Sequence, residues 1–592
     1  MGSKKTQMPE TNSNTLTPLQ RLVRLLARFK REIRLVILYA VVIGGINLSL
    51  PLGVQALIGL IAGGSISASW GVLILFIGVG ALLVGLLRIM QLSIMENLQR
   101  RVFTDSAIEF ALRIPRLNLE TLRREHLPEM VNRFFDTLTI QKGVPKLVIE
   151  GSTAALQILF SLMLLSFYHA SFVMFSLLLL AIVGILFRWT VPNGLQSSLK
   201  ESKHKYRLAY WLEEVGRVAA TFKLAGENRY PLTRADAITS DYLDARAKHW
   251  RILLIQFASS VAFRVLVLVG FLVLGSLLVM ENQLNIGQFV AAEILIIFVV
   301  DSLEKLILLH ETGYDVLTAI EKIGQVADLE LEREDGVRVE EFCPGGPFEV
   351  ELRHLSYRFA DRDRPVLDDL NLKIRAGERV VVCGYNSSGK STLMQVLCVL
   401  RRDFSGSLLF NGMPKQNINL RSLRNHIGDF SSQEDLFKGS ILENITLGRS
   451  EVPLPKVLKT IEEVGLTDFV REQPGGIQTE LLPGGKNLPG SIVSKMVVAR
   501  AVVTEPNLLV MEDPTQSLNY RDRLRIGQLL TDRSHPWTLV AVSEDPVLAA
   551  LCDRVLVLRE GQIIFDGSFD EVCKTEHFPK IFRTTADLDE KR

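Results

Sequence analysis

The stretch Gly384-Tyr385-Asn386-Ser387-Ser388-Gly389-Lys390-Ser391 combines residue types at a spacing that prescribes chemistry. Two glycines let a backbone curl so that its N–H groups face a phosphate at a helix N-terminus. Lys390 reaches the β and γ phosphates of a nucleoside triphosphate, Ser391 completes a Mg²⁺ shell, and Thr392 follows as a further phosphate donor. The setting is the required one, since an apolar run, "RVVVC", precedes the loop and a helical run, "STLMQVLCVL", follows it. A second stretch, "LVMEDPTQSLN" (509–519), ends its apolar run in two adjacent carboxylates, Glu512 and Asp513. A strand ending this way delivers a metal ligand and a general base.

Positioning these groups calls for an α/β domain, and from about Phe348 the pattern is short β-type runs separated by turns and helical stretches. The first half differs. Six apolar segments (33–61, 70–95, 148–168, 172–191, 252–279 and 286–309) each approach or exceed the roughly 20 residues that cross a bilayer as a helix. The connections 62–69, 169–171 and 280–286 contain no Lys or Arg, whereas the N-terminal segment and the loops 96–147 and 192–251 are rich in both. The positive-inside rule places those basic parts, and the C-terminal half, in the cytoplasm. Both long loops carry apolar residues at helical spacing, which predicts membrane helices that run well into the cytoplasm. Residues 17–33 read either as a basic amphipathic helix on the membrane surface or as an extension of the first span.

Arg88, Arg188, Arg264, Glu293, Asp301, Glu304 and Lys305 fall at membrane depth. Glu293, Asp301 and Glu304 or Lys305 share one helical face, expected to look into a wet cavity or the protein interior. Asp301 and Lys305 have the spacing to neutralise each other.

Bulk properties agree. The 592 residues allow several domains, hydrophobic residues make up 48%, and mean hydropathy is +0.23. A net charge of +2 gives no reason to expect a nucleic-acid partner. The five cysteines lie at 343, 383, 398, 552 and 573, with spacings that fit neither a disulfide ladder nor a zinc site, so buried or free thiols are expected. No cleavable signal peptide is evident, and "MGSKKT" offers a weak N-myristoylation pattern.

With six spans followed by one nucleotide domain, the chain resembles the ATP-binding cassette (ABC) exporters in their half-transporter layout, over nearly everything after residue 17. "LSYRFADRDRPVLDDLNLKIRAGE" resembles the family's aromatic-loop region, which implies that Phe359 stacks on adenine. "IGDFSSQEDLFKGSILENITLG" resembles the Q-loop, making Gln433 the residue that senses Mg²⁺. "EEVGRVAATFKLAGEN" is similar to the second coupling loop. The fold implied is an all-α six-helix transmembrane domain of ABC exporter type followed by an α/β P-loop nucleotide-binding domain. The expected boundaries are a tail (1–16), the membrane domain (17–328), a linker (329–346), the cassette (347–582) and a C-terminal tail (583–592).

Three departures from the family pattern fall on its chemistry. The family's Walker B pair is Asp then Glu, whereas here Glu512 takes the metal side and Asp513 the base position. Asp is shorter by about 1.5 Å, and a misplacement near 1 Å costs on the order of 10²-fold in rate. Glu544 in "VSEDP" replaces a histidine that donates to the γ-phosphate, and an ionised glutamate only accepts. "LPGSI" (488–492) replaces Leu-Ser-Gly-Gly-Gln, so that Pro489 removes a hydroxyl and an N–H while Gly490 and Ser491 remain to meet ATP. The resemblance implies ATP and Mg²⁺ as cofactors, a second half-transporter as homo- or heterodimeric partner, a lipid bilayer, and an unidentified exported substrate. It also implies a bacterial inner-membrane location. The departures predict binding with weak hydrolysis, and leave open a regulatory or partner subunit of a heterodimeric transporter or secretion assembly. No peptidase-like segment precedes the membrane part, so processing of a peptide leader is not expected.

Overall fold

The computed structural model describes residues 16–62, 68–118, 127–360, 362–430 and 436–582, with the side chains of 127, 186, 187, 189–192 and 430 excepted. Gln433, both tails, the Gly2 pattern and most of the 62–69 connection lie outside the described residues. The chain divides near Glu330 into two compact units.

The first unit is helical: α1 (Pro18–Arg28), α2 (Lys30–Asn47), α3 (Ser49–Ala62), α4 (Ala68–Arg113), α5 (Asp136–Tyr168), α6 (Ala170–Arg217), α7 (Tyr230–Met280) and α8 (Ile286–Ala327). Among the described residues, five helical stretches are long and apolar enough to cross a membrane, and α6 begins with a further apolar stretch, Ala170–Ile185. On α4, Val72, Leu75, Phe76, Leu82 and Ile89 stay exposed, an apolar surface that suits lipid rather than water.

The length of these helices matches the expectation from loop periodicity. α4, α6 and α7 hold 46, 48 and 51 residues, about 70 Å or more at 1.5 Å per residue, twice the hydrocarbon core. The chain departs from the simplest reading in two places. The first apolar segment is not one helix but α2 and α3, parted at Leu48. Pro51 has no N–H for the carbonyl of Asn47, so the ladder cannot run through. α1 is likewise no extension of the first span. Thr17 and Gln20 form a capping box at its start, and Phe29 (φ −109°, ψ 26°) breaks it from α2. Arg21 ties α1 to the end of α8, pairing with Asp328 and standing 3.6 Å from Glu321.

Close helix contacts rest on small residues. Gly143 of α5 faces Val316 of α8, and Gly275 of α7 faces the Phe289 ring. Phe289 stacks on Phe271 at 5.6 Å, and Phe271 on Phe172 at 5.9 Å.

The second unit is built on a six-stranded sheet, β12–β11–β3–β10–β9–β6, and a four-stranded antiparallel sheet, β2–β1–β4–β5. The strands are β1 (Val350–Tyr357), β2 (Leu367–Ile374), β3 (Arg379–Gly384), β4 (Ser405–Phe410), β5 (Met413–Pro414), β6 (Ile427–Phe430), β7 (Gly439–Ser440), β8 (Glu480–Leu481), β9 (Leu508–Glu512), β10 (Thr538–Val542), β11 (Arg554–Arg559) and β12 (Gln562–Gly567). In the six-stranded sheet only β12 runs antiparallel to its neighbour. β3 and β10 are buried throughout, as parallel strands covered on both faces must be.

The period of two divides the core. Val381, Cys383, Leu509, Met511, Leu539 and Ala541 belong to one cluster, and Val380, Val382, Leu508, Val510, Val540 and Val542 to another. The stretch expected as linker is not all connection: it carries a short helix, Val339–Phe342, whose Val339 is buried in the second of these clusters. All five cysteines are free thiols; four are buried, and burial pushes Cys383 up to about 12.

Candidate functional site

The carboxyl ends of β3, β9 and β10 carry the candidate residues, where ligands bind in open α/β sheets. β3 ends at Gly384, from which the loop leads to α9 (Lys390–Leu397). Gly384 (φ 153°) passes so close to β11 that an added Cβ would lie 2.2 Å from the Leu558 carbonyl oxygen. Gly389 (φ 103°) caps α9 in a left-handed conformation, with the Val366 carbonyl oxygen where a Cβ would meet it at 2.7 Å. Both positions demand glycine.

Within this loop Ser387 takes a positive φ of 61°, the Ser388 N–H donates to the Tyr385 carbonyl (3.2 Å), and Asn386 is exposed. Ser388 is buried, and its Oγ has no hydrogen-bond partner among the described residues. Thr392 is buried on α9. Lys390 Nζ folds back on the loop and donates to the carbonyls of Gly384 (2.6 Å) and Tyr385 (3.0 Å). The Tyr385 ring lies under the Arg559 guanidinium at 5.6 Å.

Two oxygen groups meet across the sheet end, because the Ser391 hydroxyl donates to the Glu512 carboxylate. A hydroxyl and a carboxylate together are a hard-oxygen donor set of the kind Mg²⁺ takes. Asp513, one residue beyond β9, has a positive φ of 49° and donates its N–H to the Val542 carbonyl at 2.8 Å. That bond fixes it beside the end of β10. Its carboxyl is pushed up to about 6, first by burial and then by the charges of Glu544 and Glu512, with Lys390 opposing.

Glu544, two residues past β10, has Oε1 3.6 Å from Lys390 Nζ. The sequence shows Glu544 only as an acceptor where a donor to phosphate is expected, and does not show this cation. No local signal could reveal it, since the contact depends on β3 and β10 lying side by side in the sheet.

The remaining candidates lie on other elements. Phe359 packs edge-on against Tyr357 at 5.1 Å, with the buried Arg401 guanidinium 5.3 Å from its ring, a support the sequence did not announce. Pro489 is the N-cap of α10 (Gly490–Val502), with Gly490 and Ser491 as the first two helical residues and no side-chain cap. α10 is held by Lys495, whose ammonium is 2.8 Å from Asp522 in a largely buried pair.

In the first unit the membrane-depth charges separate. Glu304 pairs with Arg264 at 3.2 Å. Asp301 and Lys305 line a cavity with Arg88 and form no ion pair with each other despite their spacing. Glu293 does not line that cavity.

Residues 33–303 match the ABC transporter transmembrane region, and residues 367–516 match the ABC transporter family. The ATP-dependent lipid A-core flippase of Burkholderia orbicola is 24% identical over 588 residues, covering 96% of this chain and 95% of the relative. The mesentericin-Y105 transport/processing ATP-binding protein of Leuconostoc mesenteroides is 27% identical over 306 residues, 51% of this chain but only 42% of the relative. A bacterial Atm1-family ABC exporter solved with ATP bound superposes with a TM-score of 0.82 at 18% identity, over 94% of this chain and 98% of that one, a likeness of fold. The chain is an exporter-type integral membrane subunit with an ATP-binding domain.

Proposed function

This chain belongs to the ABC transporters, and we propose that it binds Mg·ATP firmly, hydrolyses it slowly, and drives export as one half of a dimer. The loop 384–392 would hold the phosphates, Phe359 the adenine ring, and Ser391 with Glu512 the Mg²⁺, Gln433 being assigned to the metal by resemblance alone. Mg²⁺ would neutralise charge on the phosphates. Asp513 would orient and deprotonate water from a retracted position. Pro489, Gly490 and Ser491 would meet the nucleotide of the opposite half, with one hydroxyl fewer than the family pattern supplies.

The observation that carries this reading is that Glu544 stands 3.6 Å from Lys390, while burial and the charges of Glu544 and Glu512 raise the neighbouring Asp513 carboxyl with Lys390 alone opposing them. An ordinary switch position donates to the γ-phosphate. Glu544 competes with it for Lys390 instead, and burial, reinforced by the charges of Glu544 and Glu512, raises the Asp513 carboxyl to about 6. ATP can displace one carboxylate, but the machinery that breaks the γ bond is left short of donors.

Turnover of the purified full-length protein, measured beside retention of a fluorescent ATP analogue, tests the proposal. Tight retention with turnover at least tenfold below that of an exporter carrying the family's Glu and His is expected. Brisk turnover by the protein alone would overturn it, as would failure to retain the nucleotide. The double variant D513E/E544H should turn over faster. The positive-inside pattern supports an orientation with the nucleotide domain in the cytoplasm, and the bacterial inner membrane is assigned by resemblance alone. A lipid A-core flippase and a mesentericin-Y105 transport/processing protein among the relatives leave the substrate open, and neither favours a purely regulatory role.

A further inference from the structure

A cavity of about 540 Å³ opens among α2, α4, α5 and α8 of the membrane unit. That volume falls within the roughly 300–1,000 Å³ of small-molecule sites. Its wall holds two cations, Arg88 of α4 and Lys305 of α8, and two carboxylates, Glu150 of α5 and Asp301 of α8. No ion pair or hydrogen bond joins any of the four to another described residue, although Asp301 and Lys305 stand one helical turn apart. The neutral polar groups beside them are engaged. Gln91 donates to the Val36 carbonyl at 3.0 Å, and Gln157 accepts from Asn47 at 2.9 Å.

The helices are therefore tied together by amides, while the charges hold nothing. Unpaired charges at membrane depth are costly and are kept where a ligand or pathway uses them. An apolar occupant would strand all four charges without water or partner. An ion of one sign would satisfy two and be repelled by the other two. A group carrying both signs can meet a carboxylate with its cation and a guanidinium with its anion.

We propose that this cavity binds a zwitterionic group of the transported molecule, an ammonium a few Å from a phosphate or carboxylate. The inference rests on the reading of the chain as an exporter and names the class of its substrate. A phospholipid headgroup and the termini of a short peptide share this chemistry.

The test uses full-length protein in detergent micelles, with binding followed by intrinsic tryptophan fluorescence and native mass spectrometry. The probes are phosphatidylethanolamine and a free tripeptide, against phosphatidylglycerol and the same tripeptide acetylated and amidated. At least one zwitterionic probe should bind tenfold or more tighter than its single-sign or neutral counterpart, and which one binds assigns the source. R88A and D301N should each weaken it tenfold or more, while R88K retains most of the affinity. Retention of the fluorescent ATP analogue by every variant shows that the protein is folded and keeps the nucleotide reading separate. Binding of neither zwitterion, equal binding of the control probes, or indifference to R88A and D301N with nucleotide binding intact would overturn the assignment.

Discussion

Lys390 Nζ and Glu544 Oε1 stand 3.6 Å apart, with the lysine ammonium also bound by two carbonyls of its own loop. The lysine is largely buried and the glutamate partly exposed. A bound γ-phosphate needs that ammonium, so Glu544 must give it up whenever nucleotide enters. Such a partly exposed pair is worth up to about 1 kcal/mol. Glu544→Gln should therefore tighten ATP-analogue binding by roughly fivefold or less, corresponding to that energy. The gain should shrink as salt is added, because screening already weakens the pair in the unmodified protein. Unchanged affinity at low salt would mean that Glu544 swings clear of Lys390.

Asp513 gives a pH signature whose sign is fixed. Its carboxyl is raised from 3.8 to about 6 in the folded protein by burial and by Glu544 and Glu512. The native state thus holds the proton more tightly than the unfolded chain, and stability falls as pH rises between about 4 and 6. Asp513→Asn carries no such charge. Its melting temperature relative to the unmodified protein should climb across that window and level off above about pH 7. Residual ATP turnover of the unmodified protein should likewise rise, from pH 5 to 7, as the base ionises. A melting difference that is flat with pH would remove the buried carboxylate from the account.

The nucleotide loop was legible because its mechanism dictates residue types: only glycine fits at 384 and 389, where other backbone crosses within a Cβ radius. The apolar spans were legible because bilayer thickness sets a length. What the sequence hid was pairing between distant segments. Arg21 reaching Asp328, Arg401 under Phe359, and Glu544 on Lys390 all depend on tertiary placement. Asp301 and Lys305 erred in the opposite direction. Their spacing invited a local pair, yet each side chain turns to the cavity instead. The break at Leu48 was readable in principle, since Pro51 stands inside the apolar run, but apolarity masked it.

Two glycines on α5 should respond differently to the same substitution. A Cβ at Gly143 would lie 2.2 Å from Cγ2 of the fully buried Val316, whereas at Gly151 the nearest atom, Leu309 Cδ1, is 3.9 Å away. Gly143→Ala should cost about 1–3 kcal/mol through overpacking, seen as a lower melting point in detergent. Gly151→Ala should be neutral or stabilise by up to about 1 kcal/mol, since alanine favours a helix interior. Equal effects at the two positions would mean that α5 and α8 are not packed as described.

Pro489 permits a substitution in which stability and catalysis report separately. It is the N-cap of α10 at φ −58° and ψ 141°, angles a serine adopts without strain, and it offers no side-chain acceptor. Pro489→Ser would supply one to the Ser491 N–H, since the Ile492 N–H already donates to the carbonyl of residue 489 at 2.9 Å, a contribution of about 1 kcal/mol. The freer unfolded chain offsets roughly 0.4–1 kcal/mol of that gain, so the melting point should hardly move. Turnover is governed by something else. If the start of α10 meets nucleotide on the opposite half, the new hydroxyl restores a donor to the γ-phosphate. Turnover of P489S in the D513E background should then exceed that of D513E alone by several-fold. Any gain should also vanish when the two halves are held apart by dilution in detergent, because a site shared across two chains cannot form in one. Should P489S leave turnover unchanged at every protein concentration, the slow step lies at Asp513 and Glu544, and α10 makes no contact that matters to it.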